Sequence, residues 1–277
     1  MQLSNASGQD LKRLLELFSV ANLRAEWPDI KGTKEEICFT VAESKDYERI
    51  STFVQGHLNC CKQHVYAFTL PGSAALPEMV QGHGPVLNHG SRSLFVLRVR
   101  YDIVLRDPLE ETTIEFLWPM QLEITEDKTH ALLRLVVLEK GVTQYFDRPC
   151  YVPSRSIEEK DVLSQIDSWA SGRVDLHKGI KTLWGNGFMD SSFAKLKKAL
   201  SMASEIMDEE LGIREHNPEL YGQVADNTLL SALFALSEDK HGVSVFSVQP
   251  SNGYLAFPRY SEKGGTDFVI SEILKHN

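Results

Sequence analysis

A glycine-rich stretch is the first place where residue types and spacing resemble a ligand-binding motif. Gly82, Gly84 and Gly90 lie close together, with His83 and His89 among them. A phosphate-binding loop follows a strand and opens a helix, whereas the residues after Gly90 alternate like a strand. The two histidines lack the HxH or HExxH spacing of a metal site. We therefore expect a connecting loop here, with no metal ion.

The triplet Glu126-Asp127-Lys128 contains the acidic and basic side chains of a magnesium-dependent nuclease motif. Such a site needs the triplet on a strand and a further carboxylate that converges on Mg²⁺. The triplet instead separates two apolar runs, which is typical of a solvent-exposed turn. We expect neither a divalent-metal centre nor a bound cofactor.

Other catalytic signatures are missing from the sequence. It contains no GxSxG nucleophile elbow, no Walker A loop and no protein-kinase signature. The four cysteines include the adjacent Cys60 and Cys61 but no CxxC pair, which favours buried, reduced thiols. A catalytic Cys–His pair whose members are distant in sequence remains an alternative. The sequence favours a non-catalytic protein and assigns no catalytic residue.

Charge and hydropathy narrow the class of partner. The chain of 277 residues has a formal net charge of −9. This charge disfavours a nucleic-acid binder whose whole surface is basic. The longest apolar runs, near residues 132–138 and 229–236, are far shorter than the roughly 20 residues of a membrane span. Residues 1–5 do not begin a secretory signal. We expect a cytoplasmic protein with no membrane partner.

Basic side chains are in local excess between residues 173 and 198. This stretch contains six of them and only two acidic residues, Asp175 and Asp190. The six are Arg173, Lys178, Lys181, Lys195, Lys197 and Lys198. Trp184 and Phe188 lie in the same stretch. This stretch predicts one of two structures. It is either a DNA contact, in which the lysines bind phosphates and an aromatic ring stacks on a base, or an amphipathic helix whose tryptophan lies in the core. A protein partner bound through the same lysines is a further alternative.

The elements that position these residues begin with a helical segment over residues 1–63. Apolar residues recur there at helical spacing, first at Leu11, Leu14, Leu15 and Phe18. Thr33 and Glu36 have the spacing of a capping box at the start of a later helix.

An antiparallel sheet is predicted over residues 64–150. Apolar and polar residues alternate over residues 94–106 and 112–125, and an apolar run follows at 131–139. Period-two alternation over this length indicates strands, so we expect a three-stranded meander. Residues 64–70 are expected to join it. Phe116 and Trp118 should face the core, while Arg98 and Arg100 should face outward and pair with acids such as Glu115 or Glu123.

Residues 151–277 predict a helical segment with a closing β-hairpin, packed with the sheet as one domain. Apolar spacing predicts helices near residues 162–169, 193–207 and 220–234. On such a helix Lys195 and Lys198 share a face, and Lys197 lies about 100° from Lys198. Asn252-Gly253 between two apolar runs indicates the hairpin. The predicted fold class is therefore α+β: N-terminal helical segment, antiparallel β-meander, helical segment and C-terminal β-hairpin.

Residues 8–45 resemble a SAP-type helix–extended loop–helix module. The resemblance rests on the helix near residues 10–18 and on the turn GTKEEI at 32–37, which is similar to the Gly-x-Lys-x-x-Leu turn of that family. The chain departs from the family in its longer loop over residues 19–31 and in its lack of basic excess. SAP modules bind DNA, so the resemblance implies contacts from Lys12, Arg13 and Lys34. Taken together, these features predict a non-catalytic binding protein for DNA or for a protein partner.

Overall fold

The computed structural model describes most of the chain. The described ranges are residues 3–70, 75–138, 149–151, 156–197, 203–207, 212–238 and 242–277. They contain helices and a large antiparallel sheet, so the protein has the predicted α+β class. No helix within these ranges is both long and apolar enough to cross a membrane.

Helices dominate the N-terminal region, as predicted. They are α1 (Gly8–Leu15), α2 (Val20–Glu26), α3 (Lys34–Ser44) and α4 (Tyr47–His57). The predicted capping box is present at the start of α3, where Thr33 and Glu36 satisfy each other's backbone N–H groups. The first predicted apolar stripe is fully buried. Residues 19–31, expected to form an extended loop, contain α2 because the Ser19 side chain caps a helical turn there.

The strands within the described ranges all pair in one antiparallel sheet. They are β1 (Gln63–Thr69), β2 (Leu87–His89), β3 (Arg92–Leu105), β4 (Glu110–Ile124), β5 (His130–Val136), β6 (Cys150–Tyr151), β7 (Met189–Lys197), β8 (Ala203–Met207), β9 (Thr228–Leu236), β10 (Phe246–Gln249) and β11 (Tyr254–Phe257). Their order is β2-β3-β4-β5-β1-β11-β10-β9-β7-β8, and β6 pairs with β3. The predicted meander is β3-β4-β5, and the predicted hairpin is β10-β11. Strand β1 joins the two, because it pairs with β5 on one side and β11 on the other.

The predicted register of the meander is confirmed. Phe116 and Trp118 are 1% and 5% exposed, so both lie in the core. Arg98 and Arg100 face the opposite way, and their guanidinium nitrogens lie 3.1 and 3.7 Å from the Glu115 carboxylate. Alternation on a pleated strand therefore determined both faces.

In the C-terminal region the helix predicted over residues 193–207 is wrong, and the helix predicted over residues 220–234 ends at Asp226. Residues 193–197 and 203–207 pair as β7 and β8, and on β7 Ala194 and Leu196 are buried and alternate with half-buried or exposed neighbours. Residues 228–236 form β9 rather than a continuation of the preceding helix. The ladder between β7 and β9 satisfies both backbones and buries one face of each strand, which outweighs the helical spacing of their leucines.

Five further helices follow the meander, and they cover different faces of the sheet in its N-terminal and C-terminal halves. The helices are α5 (Ser156–Trp169), α6 (His177–Gly185), α7 (Ile213–His216), α8 (Pro218–Asp226) and α9 (Gly265–Lys275). Helix α5 packs with Tyr66 and Phe68 of β1 in the N-terminal core. Helices α6 to α9 pack with β7, β9, β10 and β11 in a second core, which includes Ala194, Leu196 and Phe234.

Candidate nucleic-acid interface

Strands β7, β9, β10 and β11 bury one face in the second core, and their opposite face carries half-exposed side chains. On β7, Ala194 and Leu196 are buried in the second core, so Phe193, Lys195 and Lys197 point to the opposite face. Phe193 and Lys195 are half-buried and Lys197 is exposed. We call this surface the open face. It comprises Phe193, Lys195, Lys197, Leu233, Ser247, Tyr254 and Ala256.

Cross-strand register sets the open face in rows. In one row Phe193 pairs with Leu233, Leu233 with Ser247, Ser247 with Ala256, and Ala256 with His64 of β1. Five neighbouring strands extend this row over about 19 Å. Its large aromatic side chains lie at the two ends and its small ones near the middle. We call this row, which has a ring at each end and smaller side chains between them, the trough.

Aromatic rings concentrate at the β1 end of the trough. The ring centroids of Tyr66 and Tyr254 are 5.0 Å apart, and those of His64 and Tyr254 are 5.4 Å apart. The Arg173 guanidinium lies 5.4 Å from the Tyr66 ring centroid and pairs with Asp167 at 2.7 Å. The rings are tilted or edge-on to one another and Tyr66 is buried, so the half-buried His64 and Tyr254 are the rings on which a planar base can stack.

Glu159 of α5 organises this end of the trough, and we call its group the Glu159 cluster. Tyr66 donates its hydroxyl hydrogen to Glu159 Oε1 at 2.6 Å, and His64 Nδ1 lies 3.2 Å from the same oxygen. Burial favours a higher pKa for Glu159, but the hydrogen bonds from His64 and Tyr66 outweigh it and the pKa is lowered. Burial and the nearby carboxylate raise the pKa of Tyr254 to about 12. The cluster therefore holds an ionised carboxylate and neutral tyrosines at neutral pH.

The predicted basic stretch divides between two sides of the sheet. Lys195 and Lys197 lie on the open face, and Arg173 lies at the β1 end of the trough. Lys178 is exposed on α6, across the sheet from the open face, and Lys181 donates to the Asn227 carbonyl at 3.1 Å.

The helical spacing expected for the lysines of this stretch is also corrected. Lys195 and Lys197 share a face because β7 is a strand, and Lys198 lies outside the described residues. Trp184 is fully buried and donates its indole N–H to Asp190 at 2.8 Å, so the core alternative for this ring is confirmed.

The residues implied by the SAP resemblance make contacts within the chain. Lys12 Nζ lies 2.6 Å from Glu35 Oε1. Arg13 donates to the Glu115 carbonyl at 3.1 Å, which ties α1 to β4. Lys34 donates to the Glu16 carbonyl at 2.6 Å, and burial lowers the pKa of Lys34. These contacts position the N-terminal helices, and a DNA contact from them stays a prediction.

A buried polar centre lies on the face of the sheet opposite the open face, and the sequence did not predict it. Arg134 of β5 has a side chain only 1% exposed. It donates hydrogen bonds to Glu123, Asp267, Gln63 and Thr266, with Asp267 Oδ1 at 2.5 Å. We call this group the Arg134 centre. Arg134 is the one charged residue in the apolar run 131–138. Because a buried arginine needs acidic partners, this position could have indicated the centre.

The motifs considered for metal or thiol chemistry lie in turns or in the core. Residues 126–128 form the turn between β4 and β5, as predicted. Over the part of the chain that is described, no group of three or more His, Cys, Asp or Glu side chains is arranged to hold a metal. Cys38, Cys60 and Cys61 are buried free thiols, and burial raises the pKa of Cys38 to about 12.

Comparison with known proteins adds no functional assignment. No protein-family model matches the sequence, and no curated protein or solved structure shows significant similarity to it.

Proposed function

We propose that this protein is a non-catalytic binding protein for single-stranded nucleic acid and that the open face is its interface. The observation that carries the proposal is the alternation of β7. It puts Phe193, Lys195 and Lys197 on one half-exposed surface, in register with the ring-rich end near Tyr254.

The shape of this surface favours a single strand over a duplex. Unstacked bases lie flat on aromatic rings of a sheet, while lysines and arginines contact the phosphates. A duplex is read by an element that enters a groove, such as an exposed helix. Lys178 is exposed on helix α6 and is suited to contact a duplex, but it lies across the sheet from the open face.

The charge distribution predicts weak, salt-sensitive binding. The chain carries a net charge of −9, so most of its surface repels a polyanion. Lys195 and Lys197 supply the local positive charge, whereas the charge of Arg173 is paired with Asp167. A local basic region on an acidic protein orients the encounter with the ligand.

Fluorescence anisotropy with a short labelled single strand of mixed sequence tests the proposal. The titration is run at about 50 mM and about 200 mM salt, where few phosphate contacts still produce a clear loss of affinity. The duplex of the same sequence is the comparison ligand. We expect the single strand to bind more tightly than the duplex and to weaken as salt rises. No binding at low salt contradicts the proposal and favours a protein partner, whereas equal binding of the duplex contradicts the preference for a single strand.

A further inference from the structure

A cavity of about 780 Å³ lies on the face of the sheet that carries the Arg134 centre. One wall is α9, and the other is formed by the turn before β3 and the turn between β4 and β5. Leu132 of β5 lies on its floor. The volume falls within the range of small-molecule sites.

The deep end of the cavity offers no charge to a ligand. Glu123 accepts from Arg134 at 3.0 Å through one oxygen, and its other oxygen lies 2.9 Å from Arg92 Nε. Asp267 accepts from Arg134 and from Asn59. These charges neutralise one another, so a ligand meets a polar floor whose hydrogen bonds are already made.

Apolar side chains line the walls beside this end. They are Ile124, Leu132, Phe268, Ile270 and Leu274. Leu132 and Ile270 are 4% and 2% exposed, so they form a packed base, whereas Ile124, Phe268 and Leu274 are half-buried and present the apolar surface. This lining suits the hydrocarbon or aromatic body of a small molecule.

The mouth of the cavity is acidic. Glu126 and Asp127 lie there, both exposed, on the turn between β4 and β5. Hydrogen bonds from Thr125 and Thr129 lower the pKa of Asp127, which keeps its carboxylate charged at neutral pH. Lys275 on the opposite rim lies 3.5 Å from Glu272 of its own helix.

We infer that the cavity binds a small amphiphilic cation, with its apolar body on Ile124, Phe268 and Leu274 and its ammonium group beside Glu126 and Asp127. This site is on the opposite side of the sheet from the open face, so the inference is independent of nucleic-acid binding.

Three probes with one apolar body and different head groups test the inference: phenylbutylamine, phenylbutanol and phenylbutyrate. Isothermal titration calorimetry should give the tightest binding for the amine and the weakest for the carboxylate. Two surface carboxylates predict a preference of about fivefold for the amine over the alcohol. Equal binding of all three probes, or no binding of the amine, would overturn the inference.

Two variants locate the binding site. Ser271→Trp places a ring in the cavity from an exposed position of α9 and should abolish amine binding. Thr52→Trp, at an exposed position of α4, is the control and should bind normally. If Ser271→Trp fails to fold by circular dichroism, Glu126→Gln decides. It should weaken the amine selectively, whereas the exposed control Glu78→Gln should not. Unchanged amine binding in Ser271→Trp, or in Glu126→Gln when that variant decides, contradicts the inference.

Discussion

Gln63 and His64 are neighbours on β1, and they belong to two polar groups on opposite faces of the sheet. Gln63 accepts from Arg134 in the Arg134 centre, whereas His64 contacts Glu159 in the Glu159 cluster. The Arg134 side chain is 1% exposed, and those of His64 and Glu159 are 31% and 25% exposed. The buried group has its hydrogen bonds completed within the chain and holds α9 to the sheet. The half-exposed group borders the open face, where a ligand can reach it.

The largest difference between the two groups should be seen on removal of Arg134. Arg134→Met leaves Glu123 and Asp267 without their cation, and we expect a loss of about 3–5 kcal/mol in the free energy of unfolding. Urea denaturation at neutral pH measures it. Arg100→Met is the matched control, since Arg100 is 74% exposed and should change stability by no more than about 0.5 kcal/mol. Equal losses in the two variants would mean that the Arg134 centre does not hold the fold together.

Loss of the Phe193 ring should have the next largest effect, on binding rather than on stability. Phe193→Leu keeps an apolar side chain on the open face but removes the stacking surface. We expect binding of a single strand to weaken by about 1–3 kcal/mol. Phe39→Leu is the control, because Phe39 is 57% exposed on α3, outside the open face. If both variants bind like the unaltered protein in anisotropy titrations, Phe193 does not stack on a base.

Glu159 should give a smaller and pH-dependent effect. Glu159→Gln weakens the hydrogen bonds from His64 and Tyr66 and should cost about 1–2 kcal/mol in the free energy of unfolding at neutral pH. Because the pKa of Glu159 is lowered on folding, its stabilisation is complete above the ordinary value of 4.5 and disappears as the pH falls through the lower, folded-state pKa.

Urea denaturation across this pH range measures the effect. The stability difference between Glu159→Gln and the unaltered protein should shrink towards zero in acid. A difference that stays constant with pH would contradict the role assigned to this carboxylate. Glu78→Gln, in an exposed loop, is the control and should show little difference at any pH.

The sequence predicted those elements whose local pattern and final packing agree. Alternation over β3 and β4 has no helical counterpart, and the Thr33 capping box is entirely local, so both were found. Strand β7 was missed because its apolar residues, together with those of β8, also fit a helical spacing. Only pairing with β9, more than 30 residues further along the chain, decides between the two patterns.

The candidate site was less predictable than the fold. His64 and Glu159 are 95 residues apart, so no spacing rule joins them. Lys195 and Lys197 were predicted as binding residues, but their shared face depends on a strand that was expected to be a helix. Arg134 was detectable in principle, because a charged residue inside an apolar strand requires buried partners.

Lys197 and Lys178 provide the most direct test of the open face as the interface. Both lysines are exposed and belong to the same basic stretch, but they lie on opposite sides of the sheet. Anisotropy titrations over a range of salt give the slope of log K against log salt for each single variant. Lys197→Gln should reduce the magnitude of this slope by about one, as expected for one lost phosphate contact, and Lys178→Gln should leave it unchanged. The reverse pattern, or equal slopes in both variants, would contradict the assignment of the open face.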